Sequence, residues 1–211
     1  GMLAMNPEIL VLDEPTAMLD PQGRADIMHI LDELQQHGTT IILVTHHRDE
    51  FVNADRIIRL DNGRIVQSAR GNTASIPEMD ESGTAQEDNP IAKSNIANGA
   101  SKPTSAVPII EIHNLIYQYP NSSNPVLDKL SITINEGETV AITGHNGAGK
   151  TTLARLLCAL EQPQSGSITV NTIPVARQRA NGNMQSLKRA DREKLRATIG
   201  YVMQHPERQL F

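Results

Sequence analysis

Thr139-Val-Ala-Ile-Thr143-Gly144-His-Asn146-Gly147-Ala-Gly149-Lys150-Thr151-Thr152 runs from a short apolar segment straight into the spacing G-x-x-x-x-G-K-[ST]. The apolar segment reads as a strand. The residues after the glycines read as a helix, because Leu153, Leu156, Leu157 and Leu160 recur at i, i+3, i+4 and i+7 before Pro163 and Gly166 stop the pattern. A glycine turn between strand and helix can aim several backbone N–H groups inward. With the positive end of the helix behind them, these groups form a cradle for phosphate oxygens. Lys150 is then placed to reach the β- and γ-phosphates of a nucleotide, and the Thr151 hydroxyl to hold Mg2+. An incidental lysine in a glycine-rich turn would need neither flank, and here both flanks are present.

Composition narrows the class. The 211 residues suffice for one or two domains, and with three Tyr, two Phe and no Trp the apolar content is mainly aliphatic. A net charge of −5 argues against a nucleic-acid-binding surface over the whole chain. The single cysteine, Cys158, excludes an internal disulfide, and its place on the apolar side of the expected helix suggests a small buried hydrophobe rather than a nucleophile. No apolar run approaches the roughly 20 residues of a membrane helix and no signal-peptide pattern opens the chain, so a soluble, cytoplasmic protein is expected. Gly1 is no initiator residue, and a start inside a longer protein is favoured over a tag remnant.

Ile9-Leu-Val-Leu-Asp13-Glu14 is a continuous apolar strand ending in two carboxylates, as buried parallel strands do when they deliver acids to a site at the carboxyl edge. In a P-loop NTPase, Asp13 would bind Mg2+ through water and Glu14 would orient or deprotonate the attacking water. The bland alternative is a strand with a polar end, and the next stretch weakens it. Asp20-Pro21 caps and opens a helix with Ile27, Leu31 and Leu34 on one face and a stop at Gly38. A second buried strand, Thr40-Ile-Ile-Leu-Val-Thr45, then ends in His46-His47. Such a histidine could be a structural hydrogen bonder, but a βαβ unit would bring it to the same edge as Asp13 and Glu14. Residues 55–66 carry a hairpin signature with its turn at Asp61-Asn62-Gly63.

Residues 71–107 contain no aromatic residue, five acids, two lysines and many Ser, Thr, Asn, Gly and Ala residues, the composition of a flexible linker. Strands are expected again at Pro108–Leu115, Leu130–Ile134 and, beyond the glycine turn, in a hairpin over Gly166–Val175. From 177 to 196, Arg177, Arg179, Lys188, Arg189, Arg192, Lys194 and Arg196 face only Asp191 and Glu193. Without aromatic residues to stack bases, this segment reads as a solvated face, helical in its second half, rather than a nucleic-acid patch. The last strand, from Ile199, runs into Gln204.

Taken together, these pieces resemble the ATP-binding subunits of ABC transporters, an α/β P-loop NTPase fold with a mainly parallel sheet and added antiparallel β pieces. Leu12-Asp13-Glu14-Pro15-Thr16 is similar to the Walker B motif with its catalytic glutamate, Ala17-Met-Leu-Asp20 to the D-loop, and Val44-Thr45-His46 to the switch-histidine loop. Tyr119 matches the aromatic position that stacks on adenine, and Gln204 the glutamine near Mg2+ and the membrane-subunit interface. The resemblance implies ATP and Mg2+ as cofactors, with Glu14 and His46 catalytic. Tyr119, Asn146, Gly147, Gly149, Lys150, Thr151, Thr152 and Gln204 would bind nucleotide, and Thr151, Asp13 and Gln204 would attend the metal. Gln204-His-Pro-Glu-Arg-Gln-Leu-Phe211 is most like the ATPases of energy-coupling-factor importers for vitamins and cobalt or nickel. Implied partners are integral membrane transporter subunits and a second ATPase domain or subunit, with no nucleic acid. The implied location is the inner face of the cell membrane, reached through those partners.

The motif order departs from the family, in which Walker A precedes Walker B within a domain. A tandem ATPase explains this, with 1–70 ending a first domain, 71–107 linking and 108–211 beginning a second. The family's signature Leu-Ser-Gly-Gly-Gln is absent from the chain, which keeps two rivals open: a non-transport ABC-type ATPase, and a nucleotide-binding fragment without catalysis. The halves carry complementary strands and are expected to dock as a permuted core, with Asp13 and Lys150 within about 15 Å so that both reach one Mg·phosphate group. A 37-residue linker with a span of roughly 30–35 Å permits this. Limited proteolysis is expected to cut first within 71–107 while both flanks resist. First cuts in the flanks would overturn the division into halves.

Overall fold

A computed structural model describes residues 7–70 and 107–203, apart from 121, 180 and 186. The expected linker lies outside the described residues except for residue 107, as does Gln204. In the first segment, β1 (Ile9–Asp13) leads to α1 (Pro21–Gln36), β2 (Thr40–Val44), β3 (Arg56–Asp61) and β4 (Arg64–Arg70). In the second, β5 (Pro108–Tyr117), β6 (Leu127–Asn135) and β7 (Thr139–Thr143) precede α2 (Lys150–Leu157). The remaining elements are β8 (Ser165–Val170), β9 (Ile173–Gln178), β10 (Met184–Gln185), α3 (Arg189–Thr198) and β11 (Ile199–Val202).

The two segments share one sheet. Its order is β11-β1-β2-β7-β3-β4, with all neighbours parallel except the β3–β4 hairpin. The strand before the glycine loop thus lies between two strands of the other segment. This is the permuted docking expected from the sequence, within an α/β P-loop NTPase fold. Full burial of β1 and β2 on both faces explains their unbroken apolar runs, because helices cover each side. Leu10, Leu12, Ile41 and Leu43 pack against Leu31 of α1, whereas Ile9, Val11, Ile42 and Val44 share a cluster with α2. That second cluster continues into an antiparallel sheet, β10-β9-β8-β5-β6, through Ile110, Ile112 and Leu115.

Local rules account for most of the boundaries. Asp20 caps α1 by accepting from the Gly23 amide at 2.8 Å, and Pro21 occupies the first turn. The β3–β4 turn has positive φ at both Asn62 (46°) and Gly63 (73°), as a two-residue type I′ turn needs. One expectation fails: α2 ends at Leu157, and Leu160 is 54% exposed rather than on its apolar face. Ala159 takes a left-handed φ of 55°, and the Leu160 amide bonds back to the Arg155 carbonyl at 2.9 Å. This is a Schellman stop, which the leucine spacing does not reveal. The basic segment contains α3, whose buried residues are Leu195 and Thr198, in line with a solvated helix.

The approach to β7 is clamped by the first segment. The Gly137 amide donates to Thr40 Oγ1 at 2.9 Å, and the Thr139 amide to Asp55 Oδ2 at 2.8 Å. Arg56 donates from Nη2 to the Thr133 carbonyl at 2.5 Å and to Glu138 Oε2 at 3.2 Å. Its Nε adds a charge contact to Glu138 Oε1 at 2.9 Å, without hydrogen-bond alignment. Burial pushes the guanidinium below its usual pKa, and Glu138 opposes that shift. Glu138→Ala is expected to reduce stability by about 3 kcal/mol, because a buried charge that loses its partner costs about 3–5 kcal/mol. Denaturant titration measures this, and a change below about 1 kcal/mol would show that the junction does not depend on the pair.

Candidate functional site

The loop between β7 and α2 is pressed against the β3–β4 hairpin. Gly144 has φ 144°, and a Cβ added there would lie 2.3 Å from the Leu60 carbonyl oxygen. The Gly63 amide donates to the Ala148 carbonyl at 3.2 Å, and His145 Nε2 lies 2.8 Å from Asp61 Oδ1. The loop is therefore braced by a turn more than 80 residues earlier in the chain. Gly147 has a positive φ of 86°, but an added Cβ would meet nothing within 4 Å, because this part of the loop faces the open cleft.

Glu14, His46, Tyr119, Asn146, Gly147, Gly149, Lys150, Thr151 and Thr152 line this one cleft, of about 460 Å³. Of the other predicted residues, Asp13 reaches it from β1 by accepting from the Thr151 hydroxyl at 3.1 Å, and Gln204 lies outside the described residues. Glu14, which follows β1, places Oε1 3.2 Å from Nδ1 of His46, which follows β2. Adjacent parallel strands β1 and β2 bring these two ends together, with Asp13 opposite Val44. The Tyr119 hydroxyl lies 3.1 Å from Thr152 Oγ1, and its ring meets Tyr117 edge-on at 5.0 Å.

The charges are largely shielded from water. Lys150 is buried and donates to the carbonyls of Gly144 at 2.8 Å and His145 at 3.2 Å. Burial lowers its pKa, while Glu14 and Asp13 act to raise it. Asp13 is 1% exposed, and burial raises its carboxyl above the ordinary value against the hydrogen bond from Thr151. Tyr201 on β11 also reaches Asp13, donating to Oδ2 at 3.4 Å. Sequence reasoning missed Tyr201, Val126, which also lines the cleft, and the His145–Asp61 contact. Nothing in the spacing of Tyr201 signals its partner, since they meet only through β11 pairing with β1. Cys158 caps the end of α2 and is half-buried against the core, and burial pushes its thiol up to about 12, which disfavours the thiolate.

Comparison with known proteins adds a family resemblance. Residues 127–211 match the family model described as ABC transporter. The whole chain aligns with a protein of Bifidobacterium longum at 46% identity over 237 residues, covering 30% of that protein. It also aligns with one of Methanosarcina acetivorans at 30% identity, covering 40%, and one of Enterococcus faecalis at 29%, covering 41%. All three carry the provisional name ABC transporter ATP-binding protein. These matches liken the chain to the ABC transporter ATP-binding proteins, through residues 127–211 by the family model and along its whole length by the relatives. It spans less than half the length of these relatives. Among the described residues no helix is long and apolar enough to cross a membrane, and no group of three or more His, Cys, Asp or Glu side chains could hold a metal ion. The glycine loop invites a direct test of packing. Gly147→Ala is expected to cost about 1–2 kcal/mol from backbone strain alone. Gly144→Ala adds a collision with backbone, worth about 1–3 kcal/mol more. Equal denaturation midpoints for the two variants would refute the close packing against β3.

Proposed function

We propose that the cleft binds Mg·ATP and that the protein of which this chain is a part hydrolyses it to drive a membrane importer. The observation that carries this reading is the meeting of the two segments' motifs at one place, with the Asp13 carboxylate 3.1 Å from the Thr151 hydroxyl beside Lys150. Lys150 and the loop amides would bind the β- and γ-phosphates, and the Tyr119 ring would stack on the base. Thr151 and Asp13 suit Mg2+, since both offer hard oxygen donors and the desolvated Asp13 carboxylate favours a nearby cation. The ion would supply charge neutralisation at the phosphate oxygens. Glu14 would take a proton from water, and with Nδ1 turned to Glu14, His46 would have Nε2 to face the γ-phosphate.

The proposed division has residues 1–70 ending one ATPase unit, 71–107 linking and 108–211 beginning the next. It is supported by the inverted motif order and by longer relatives that align along the whole chain. In the intact protein Asp13, Glu14 and His46 would then serve one site and Lys150, Thr151 and Gln204 another, so the shared cleft would be the ATP site of this chain taken alone. The closing residues 204–211 favour an energy-coupling-factor importer of vitamins or cobalt and nickel, held at the membrane through integral subunits. A narrower reading, binding without turnover by this chain alone, is favoured by the missing Leu-Ser-Gly-Gly-Gln sequence.

Calorimetric titration with Mg·ATP tests the site. Lys150→Ala is expected to abolish or greatly weaken binding, and Tyr119→Ala to weaken it by roughly 1–3 kcal/mol. Unaltered affinity in the lysine variant would sink the phosphate reading. ATP turnover that vanishes in Glu14→Gln supports hydrolysis by this chain, whereas binding with no turnover supports the narrower reading.

A further inference from the structure

Glu50 is a charged residue with no place in the phosphate chemistry, yet it is 3% exposed. It ends the short 3-10 turn Arg48–Glu50 that follows His46 and His47. One carboxylate oxygen accepts from the Thr16 hydroxyl and the other from the Thr45 hydroxyl, the latter at 2.5 Å. Both threonines are fully buried. Thr45 Oγ1 also accepts from the His47 amide at 3.0 Å. Thr16 lies two residues after Glu14, and Thr45 lies immediately before His46. One buried carboxylate therefore fastens both loops that present the Glu14–His46 pair.

The Glu14 loop has reason to need such a fastening. Glu14 sits at φ 49°, a left-handed conformation that non-glycine residues hold only when their surroundings impose it. Its carbonyl accepts from the Ala17 amide at a long 3.3 Å. We propose that Glu50 is a positioning residue that keeps Glu14 against His46 by bridging Thr16 and Thr45. This rests on the roles proposed above for Glu14 and His46.

The test separates the bridge from the chemistry. Thr16→Val removes the hydroxyl at nearly constant volume, and Thr16→Ser retains it. Glu50→Gln keeps the shape of the bridge but replaces one acceptor by a donor. With the nucleotide-free chain, the ring-nitrogen resonances of His46 are followed by 15N NMR, with Glu14→Ala marking the displacement caused by losing the pair. Thr16→Val and Glu50→Gln are expected to move the Nδ1 resonance through most of that displacement, and Thr16→Ser to leave it in place. Where the chain turns over ATP, kcat in Thr16→Val should fall on the order of tenfold or more with KM unchanged, since a displacement of about 1 Å can cost about 100-fold. An unmoved His46 resonance in folded Thr16→Val or Glu50→Gln overturns the proposal. Because this readout needs no nucleotide, failure of Mg·ATP binding in the titration sinks the functional reading and leaves the bridge to be decided separately.

Discussion

The backbone of β7 needs a partner on each side, and both partners come from the other segment of the chain. Its register runs Ile41 to Thr139 and Val44 to Ile142 on one side, and Arg56 to Val140 and Arg59 to Thr143 on the other. Without them, the N–H and C=O groups of a strand buried from Val140 to Thr143 would be unpaired, which a folded protein tolerates poorly. This pairing fixes the start of the glycine loop. From there the positions of Lys150 and Thr151 relative to Asp13, Glu14 and His46 follow.

The loop is then held from behind as well as from below. The β3–β4 turn reaches it through the Gly63 amide and through Asp61, and the second core cluster carries α2 against β1 and β2. A cradle whose amides must face an anion has to be rigid before the anion arrives, since ordering a loop on binding would subtract from affinity. The packing of Gly144 against Leu60 supplies that rigidity, and the open side at Gly147 leaves the concave face clear.

Charge completes the arrangement. A buried ammonium and two carboxylates are gathered at one strand edge, and burial pushes Asp13 and Lys150 toward their neutral forms while each acts to keep the other charged. A group of this kind is poorly solvated by itself. Phosphate oxygens and a hard cation would meet it with complementary charge, which is the physical link between the fold and the function proposed for it.

Local chemistry in the sequence determined the elements: alternation and apolar runs for the strands, Asp20 and Pro21 for the start of α1, Asn62-Gly63 for the hairpin and glycine spacing for the loop. The residues that line the cleft were legible for the same reason, because their spacing within each segment is short and stereotyped. The end of α2 was not, since a left-handed Ala159 stops a helix whose leucine pattern continues. Tyr201 on Asp13 and Glu50 between Thr16 and Thr45 were also hidden. Tyr201 and Asp13 are 188 residues apart in sequence. Their meeting depends on strand order, and strand order is set by which buried edges find partners, a property of the assembled sheet rather than of any stretch of sequence.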